Sequence, residues 1–299
     1  GTSVESVEVM MSANIYKNGM GVGIPGTGRT GLPLAAALGV VTGDPQRGLE
    51  LLEHVTPADI AAAQRLIDAG KVEVGIAHVA EKLYVKASVR SNMGDTAQCV
   101  IHQTHSHVGE IARNGRILYS DTPKEAEDGS ATDSEPGSCA RRITVKGIFE
   151  FATTAPLEEL DFILETARMN SAIAEEGLRN AYGLQVGRKM RDQVKKGLLA
   201  DDLLLQAMTI TAAASDARMA GCTMSVMSNS GSGNQGITAT LPVVVTAKAV
   251  HASEEQLARA LALAHLVAIH IKGYLGRLSA LCGCVVASSG AGCGVGYLL

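Results

Sequence analysis

Apolar residues recur in two different rhythms along this chain. In its first part they alternate with polar residues. Val4-Glu5-Ser6-Val7-Glu8-Val9 sets the pattern, which predicts a strand over 4–11. A short helix is predicted from Gly31 to Val41, after a glycine-rich loop. Thr56-Pro57-Ala58-Asp59 reads as a helix start, with Thr56 as cap and Pro57 at the first helical position; that helix runs to about Ala69 and stops at Gly70. Alternating segments follow at 71–77, 83–90, 97–108 and 115–119. Turn residues such as Asn92-Met93-Gly94-Asp95 and Arg113-Asn114-Gly115 separate them, which predicts an antiparallel sheet.

From about 143 the spacing becomes helical. Pro156 opens a helix with apolar positions Leu157, Leu160, Ile163, Leu164 and Ala167, and further helices are predicted near 184–197, 201–221, 236–249, 254–272 and 277–299. Between the two regimes, residues 121–140 are polar and acidic and read as a solvated loop or linker. Strands followed by helices define an α+β protein. The predicted division is an α+β part over 1–140 and an Ala/Gly-rich helical part over 141–299. No internal repeat is evident.

Composition sharpens this picture. Hydrophobic residues make up 46% of the 299 positions and charged residues 19%, enough to bury a sizeable core. With no Trp and three Phe, that core must be aliphatic, with Gly permitting close backbone contact. The formal net charge is −4 and the basic residues are scattered, which argues against a nucleic-acid partner. No signal-peptide pattern is read at the start. The six cysteines are irregularly spaced and read as free thiols of a cytoplasmic protein. Leu278 to Leu299 carries no charge and has the length of a membrane span, but its Gly, Ser and Cys content predicts a tightly packed interior helix instead. Both ends break off in patterned sequence, so a longer parent chain is expected.

The candidate chemistry lies in a few segments. Gly26-Thr27-Gly28-Arg29-Thr30-Gly31 and Gly231-Ser232-Gly233-Asn234-Gln235-Gly236 both spell G-x-G-x-x-G. A dinucleotide site needs a strand directly before such a loop, a helix after it and an acidic residue beyond; neither loop sits in a βαβ pattern. Each does lead into an apolar helix, whose free N–H groups attract anions, carboxylates included. The plain alternative is a structural turn. For the second loop, Ser228, Asn229, Ser230, Gly231, Ser232, Gly233, Asn234 and Gln235 gather many small polar groups between apolar helices, and a core seldom accepts that polarity without a partner. These eight residues are the candidate substrate contacts. Arg218 can clamp a carboxylate, and Asp216 can either hold Arg218 or act as a base; a structural ion pair is the alternative. His102, His105 and His107 read as a solvated strand face, with His105 and His107 on one side, rather than a metal site. His265 and His270 have poor spacing for a shared ligand. On a continuous helix Cys282 and Cys293 share a side but lie about 16 Å apart, with Cys284 roughly opposite, so the three do not grip one cluster unless the helix breaks. Buried small thiols are the alternative.

Four stretches together carry a resemblance: Pro25-Gly26-Thr27-Gly28, Ser215-Asp216-Ala217-Arg218-Met219, Ser228-Asn229-Ser230-Gly231-Ser232-Gly233-Asn234-Gln235-Gly236 and Leu278-Ser279-Ala280-Leu281-Cys282-Gly283. The chain resembles the UPF0597 family over nearly its whole length, and through it L-cysteine desulfidase and the α part of iron–sulfur L-serine dehydratase. The resemblance implies a pyridoxal-independent lyase with an oxygen-labile [4Fe–4S] cluster held by three cysteines. The fourth iron would act as a Lewis acid on the leaving hydroxyl or thiol. A base would remove the α-proton, and the aminoacrylate formed would hydrolyse to pyruvate and ammonia, with sulfide from cysteine. Cys282 matches one ligand position, with Cys222, Cys284 and Cys293 as weaker candidates. The family's other ligand motifs, Gly-Cys-Thr-Glu-Pro and a Ser-Asn-Ser-Cys-type segment, fall before and after this sequence. The expected partner is a small amino acid, with neither nucleic acid nor membrane, and a homodimer is left open. A catalytically silent ligand-binding or sensor protein on the same scaffold is the alternative reading.

Overall fold

A computed structural model describes residues 2–121, 143–275 and 282–299. The acidic stretch expected as a linker, Cys139 and the segment 277–281 therefore lie largely or wholly outside the described residues. The chain forms two compact units, Gly1–Ala131 and Thr132–Leu299.

The first unit is built on a six-stranded sheet. Strand β1 (Val4–Met11) is followed by α1 (Ala13–Gly19), the two-residue strands β2 (Gly23–Ile24) and β3 (Arg29–Thr30), α2 (Leu32–Thr42) and α3 (Pro57–Asp68). Then come β4 (Val72–Ile76), β5 (Tyr84–Ser91), β6 (Thr96–His102), β7 (Val108–Arg113) and β8 (Arg116–Ser120). The sheet order is β4-β1-β5-β6-β7-β8. Every neighbouring pair is antiparallel except β1 and β4, which run parallel, with Val7 beside Val72. The exception follows from connectivity: parallel neighbours need a long crossover, and α2 and α3 supply it. The alternation in β1 buries Val7 and Met11. A separate cluster of Ile24, Leu34, Ala37, Leu38 and Ala63 joins α2 to α3. At the start of α3, Thr56 and Asp59 form a reciprocal capping box, as the sequence suggests. The segment read as one strand over 97–108 is two strands. Gln103 takes a left-handed φ of 64°, and a turn closed by His102 N–H donating to His107 O (3.2 Å) separates β6 from β7.

The second unit is helical. Its elements are α4 (Val145–Thr154), the short α5 (Leu157–Leu160), α6 (Leu164–Arg179), α7 (Val186–Lys195), α8 (Leu203–Met219), α9 (Gly233–Ala249), α10 (Glu254–Leu275) and α11 (Gly283–Leu298). Its core is aliphatic, as composition requires: Leu160, Val243, Leu261, Val267 and many alanines form one cluster, and Ile173, Ile237 and Leu241 anchor another. All three phenylalanines, Phe149, Phe151 and Phe162, sit on the surface. Small residues let the helices touch through their backbones. A Cβ on Gly177 of α6 would lie 2.0 Å from the Ala213 carbonyl oxygen of α8, and one on Gly290 of α11 would lie 2.2 Å from Ala264 O of α10. The uncharged C-terminal stretch is thus, over its described part, a helix packed into this unit. Among the described residues no helix is long and apolar enough to cross a membrane.

Candidate functional site

The second glycine loop connects α8 to α9, and each of its glycines has a separate reason. Asn229 and Ser232 exchange backbone hydrogen bonds (3.1 and 3.0 Å), closing a tight turn whose central residues Ser230 and Gly231 have φ of 50° and 78°. Two left-handed central residues mark a turn of the primed type, in which Gly is the least strained choice. Ser232 then caps α9, its Oγ accepting from Gln235 N–H (3.3 Å). Gly233 makes room for Arg218: a Cβ there would lie 2.3 Å from the Arg218 Nε. Gly236 makes room for the incoming chain, since its Cβ would lie 2.0 Å from Met227 O. Upstream of the turn the chain is irregular rather than helical, since α8 ends at Met219.

Arg218 stands in the last turn of α8. Its Nη1 donates to Asn234 Oδ1 (3.2 Å), and among the described residues no carboxylate lies within 4.0 Å of it. Burial pushes its pKa down, the mark of a cation held without a counter-charge. Asp216 does not hold it. Residues two apart on a helix point about 200° from each other, and Asp216 Oδ2 instead accepts from Gly187 N–H (3.1 Å) in the first turn of α7. Asp216 therefore anchors a helix start rather than pairing with the arginine.

Behind the loop runs a buried chain of polar side chains. Asn229 Oδ1 accepts from Gln235 Nε2 (2.7 Å) and Ser230 Oγ (2.9 Å). Asn229 Nδ2 reaches His265 Nδ1 (3.0 Å) and His265 O (3.1 Å). His265 Nε2 meets Thr240 Oγ1 (2.9 Å), and Asn170 Nδ2 donates to the same oxygen (3.3 Å). Asn170 also brackets the backbone of Met227, accepting from its N–H (3.0 Å) and donating to its carbonyl (3.2 Å). Because the Asn229 amide is the donor, His265 Nδ1 is the acceptor and its proton sits on Nε2. The loop is thus tied to α6, α9 and α10 by a neutral histidine. Gln235 Oε1 ends the chain of bonds, buried with no hydrogen-bond partner among the described residues. It faces the start of α11, where a Cβ on Gly283 would lie 3.4 Å away.

His265 carries a testable pH dependence. Burial lowers its pKa from 6.5 to about 4. A folded-state value below the unfolded one means the unfolded chain binds the proton first, so stability present above pH 6.5 drains away as pH falls toward 4. Over that window the loss is about 3 kcal/mol. Urea midpoints measured across it should fall accordingly, and H265Q, which cannot become charged there, should flatten the slope.

Cys282 is the N-cap residue of α11 and is exposed, as are Cys284 and Cys293. A hydrogen bond with Cys282 is the main cause that raises the Cys284 thiol. Cys222 is half-buried. Among the described residues no three His, Cys, Asp or Glu side chains converge on one point. Because Cys282 is the cap rather than part of the helix, its thiol meets Cys284 instead of lying opposite it; these two exposed thiols are no complete ligand set, so this chain's described residues do not by themselves fit a [4Fe–4S] group.

The remaining candidates lie elsewhere. Gly26 to Gly31 spans the β2–β3 hairpin and ends as the N-cap of α2. The strand before it is two residues long and pairs within the loop itself, unlike a dinucleotide fold. His102 and His107 stack edge to face at 4.8 Å, and His107 Nε2 meets Asp121 Oδ2 at 2.9 Å, which raises its pKa. His105 and His107 lie in the turn after β6, so they do not share a strand face. Sequence reasoning missed His265, Asn170 and Thr240. Their signal was a polar residue set among apolar ones: His265 stands inside the buried Ala258–Ala268 stretch of α10.

These features define an α+β protein whose helical unit presents a part-buried arginine, without a carboxylate partner among the described residues, and a hydrogen-bonded polar loop at the start of a long helix. The chain belongs to the serine dehydratase alpha chain family, whose sequence model matches residues 46–299. It is 48% identical to a UPF0597 protein of Oleidesulfovibrio alaskensis over 299 residues, all of this chain and 68% of that protein. UPF0597 proteins of Photobacterium profundum (47%, covering 99% of this chain and 68% of the relative) and Phocaeicola vulgatus (44%, 100% and 68%) are similar. No solved structure matches.

Proposed function

We propose that this chain is the substrate-binding part of a pyridoxal-independent β-elimination lyase of the L-serine dehydratase or L-cysteine desulfidase type. The observation that carries this reading is Arg218: a part-buried guanidinium with no carboxylate within 4.0 Å among the described residues, seated against Gly233 in the first turn of α9. Its complement is a small carboxylate, which the N–H groups at the helix start also attract. The family relationship supplies the reaction class. L-serine would yield pyruvate and ammonia; L-cysteine and water would yield pyruvate, ammonia and sulfide. In this reading Arg218 and the 228–235 loop hold and orient the amino acid, and the Asn229–His265–Thr240 chain keeps the loop rigid. Were an iron–sulfur cluster bound, as the family resemblance implies, it would supply a Lewis acid for the leaving group, and Cys282 is the described residue that would meet it.

The test is an anaerobic assay of the full-length gene product with L-serine and with L-cysteine. Pyruvate from either substrate, with sulfide from cysteine, is the expected result. Release of neither product would overturn the reading. Saturable L-serine binding without turnover would assign the scaffold to a silent binding protein.

A further inference from the structure

Where α6, α7, α8 and the C-terminal half of α9 meet, the surface of the helical unit folds inward into a cavity of about 610 Å³. That volume is in the range that encloses small organic molecules. Its walls are largely aliphatic, formed by Leu178, Val194, Leu205, Ile210, Val244 and Val245. Val244 lies roughly 17 Å along α9 from Gly233, so the cavity is a different place from the glycine-loop site.

Three cations reach this cavity: Arg191, Lys195 and Lys248. None has a carboxylate within 4.0 Å among the described residues. Arg191 Nη2 donates to Leu178 O (2.8 Å), while its buried Nε–H has no hydrogen-bond partner among the described residues. Two acids also line the wall, Glu175 and Asp201, and Asp201 already accepts from Gln206 Nε2 (2.8 Å). Three positive groups against two negative ones leave an excess of positive charge around an apolar floor. Unpaired lysines beside buried Val244 and Val245 are unfavourable neighbours for a neutral oil and favourable ones for an anion.

We propose that this cavity is a second binding site, for a small organic anion with an apolar body. The hydrocarbon part enters between α6, α8 and α9, and the carboxylate meets Lys195 and Lys248 at the rim. The site stands whether or not the protein turns over serine.

Phenylacetate and its neutral counterpart phenylacetamide test it, titrated into the full-length protein carrying isotope-labelled Ile, Leu and Val methyl groups. Phenylacetate should give saturable shifts centred on Val194, Leu205, Ile210, Val244 and Val245. Its affinity should exceed that of the amide by about three- to tenfold, the scale expected for part-exposed ion pairs. The exposed lysines tolerate exchange, so K195Q/K248Q should weaken the acid by a similar factor and leave the amide unchanged. Equal binding of acid and amide would overturn the assignment to an anion. Shifts confined to other methyl groups, or no saturation at millimolar concentrations, would overturn the site itself.

Discussion

Under the proposed lyase function, Arg218→Met is expected to lower kcat/KM for L-serine or L-cysteine by about a hundredfold or more. A fork of two charged hydrogen bonds to a carboxylate is worth about 3 kcal/mol or more, and a factor of ten costs about 1.4 kcal/mol. Methionine keeps much of the aliphatic bulk beside Gly233 and Val226, so the loss falls on recognition rather than on folding. Arg218→Lys should recover only part of the activity, because an ammonium supplies the charge without the planar fork. Unfolding midpoints close to the parent's would show that the scaffold is intact. A methionine variant with unchanged kcat/KM would remove Arg218 from substrate binding, whatever the reaction.

Gly177→Ala is expected to destabilise the helical unit by about 3 kcal/mol, the upper part of the range for inserting an atom into a packed core. The added Cβ would lie 2.0 Å from Ala213 O, 2.7 Å from Ala213 C and 3.3 Å from Ala213 Cα. All three are backbone atoms of α8, so no side-chain rotation relieves the contact; α6 and α8 must move apart, and the cluster that holds Ile173 of α6 and Ala217 of α8 loosens with them. Gly292→Ala provides the contrast. That glycine is in α11, exposed, and a Cβ there meets nothing within 4 Å. Without a clash, helix propensity decides, and the change should stabilise by about 0.5–1 kcal/mol. Denaturant midpoints of the two variants should therefore move in opposite directions.

Much of this architecture is legible before any coordinates. The alternation of β1, the Thr56 cap and the change of rhythm near residue 143 each reflect a local preference that the fold respects. The placement of polarity at 228–235 is equally plain, because many small polar residues between apolar helices need partners. What the sequence does not disclose is which partner each finds. Asp216 and Arg218 are close in the chain, and proximity suggests a pair, but the helical turn sends one to Gly187 and the other to Asn234. His265 shows the converse. Its spacing from His270 suggests no shared task, while its actual partners, Asn229 and Thr240, lie on other segments. The parallel β1–β4 pair and the break between β6 and β7 are similarly fixed by connections and a left-handed Gln103, not by periodicity.

With no indole in the sequence and every phenyl ring turned outward, this molecule folds with little optical trace. Its intrinsic emission comes from tyrosines alone, so unfolding is better followed through the backbone signal of its helices. The same silence is an experimental opening. A single tryptophan at exposed Met224, just ahead of the glycine loop, would be the sole indole in the chain, selectively excited beyond the tyrosine absorption, and any change in its colour would report on the approach to that loop.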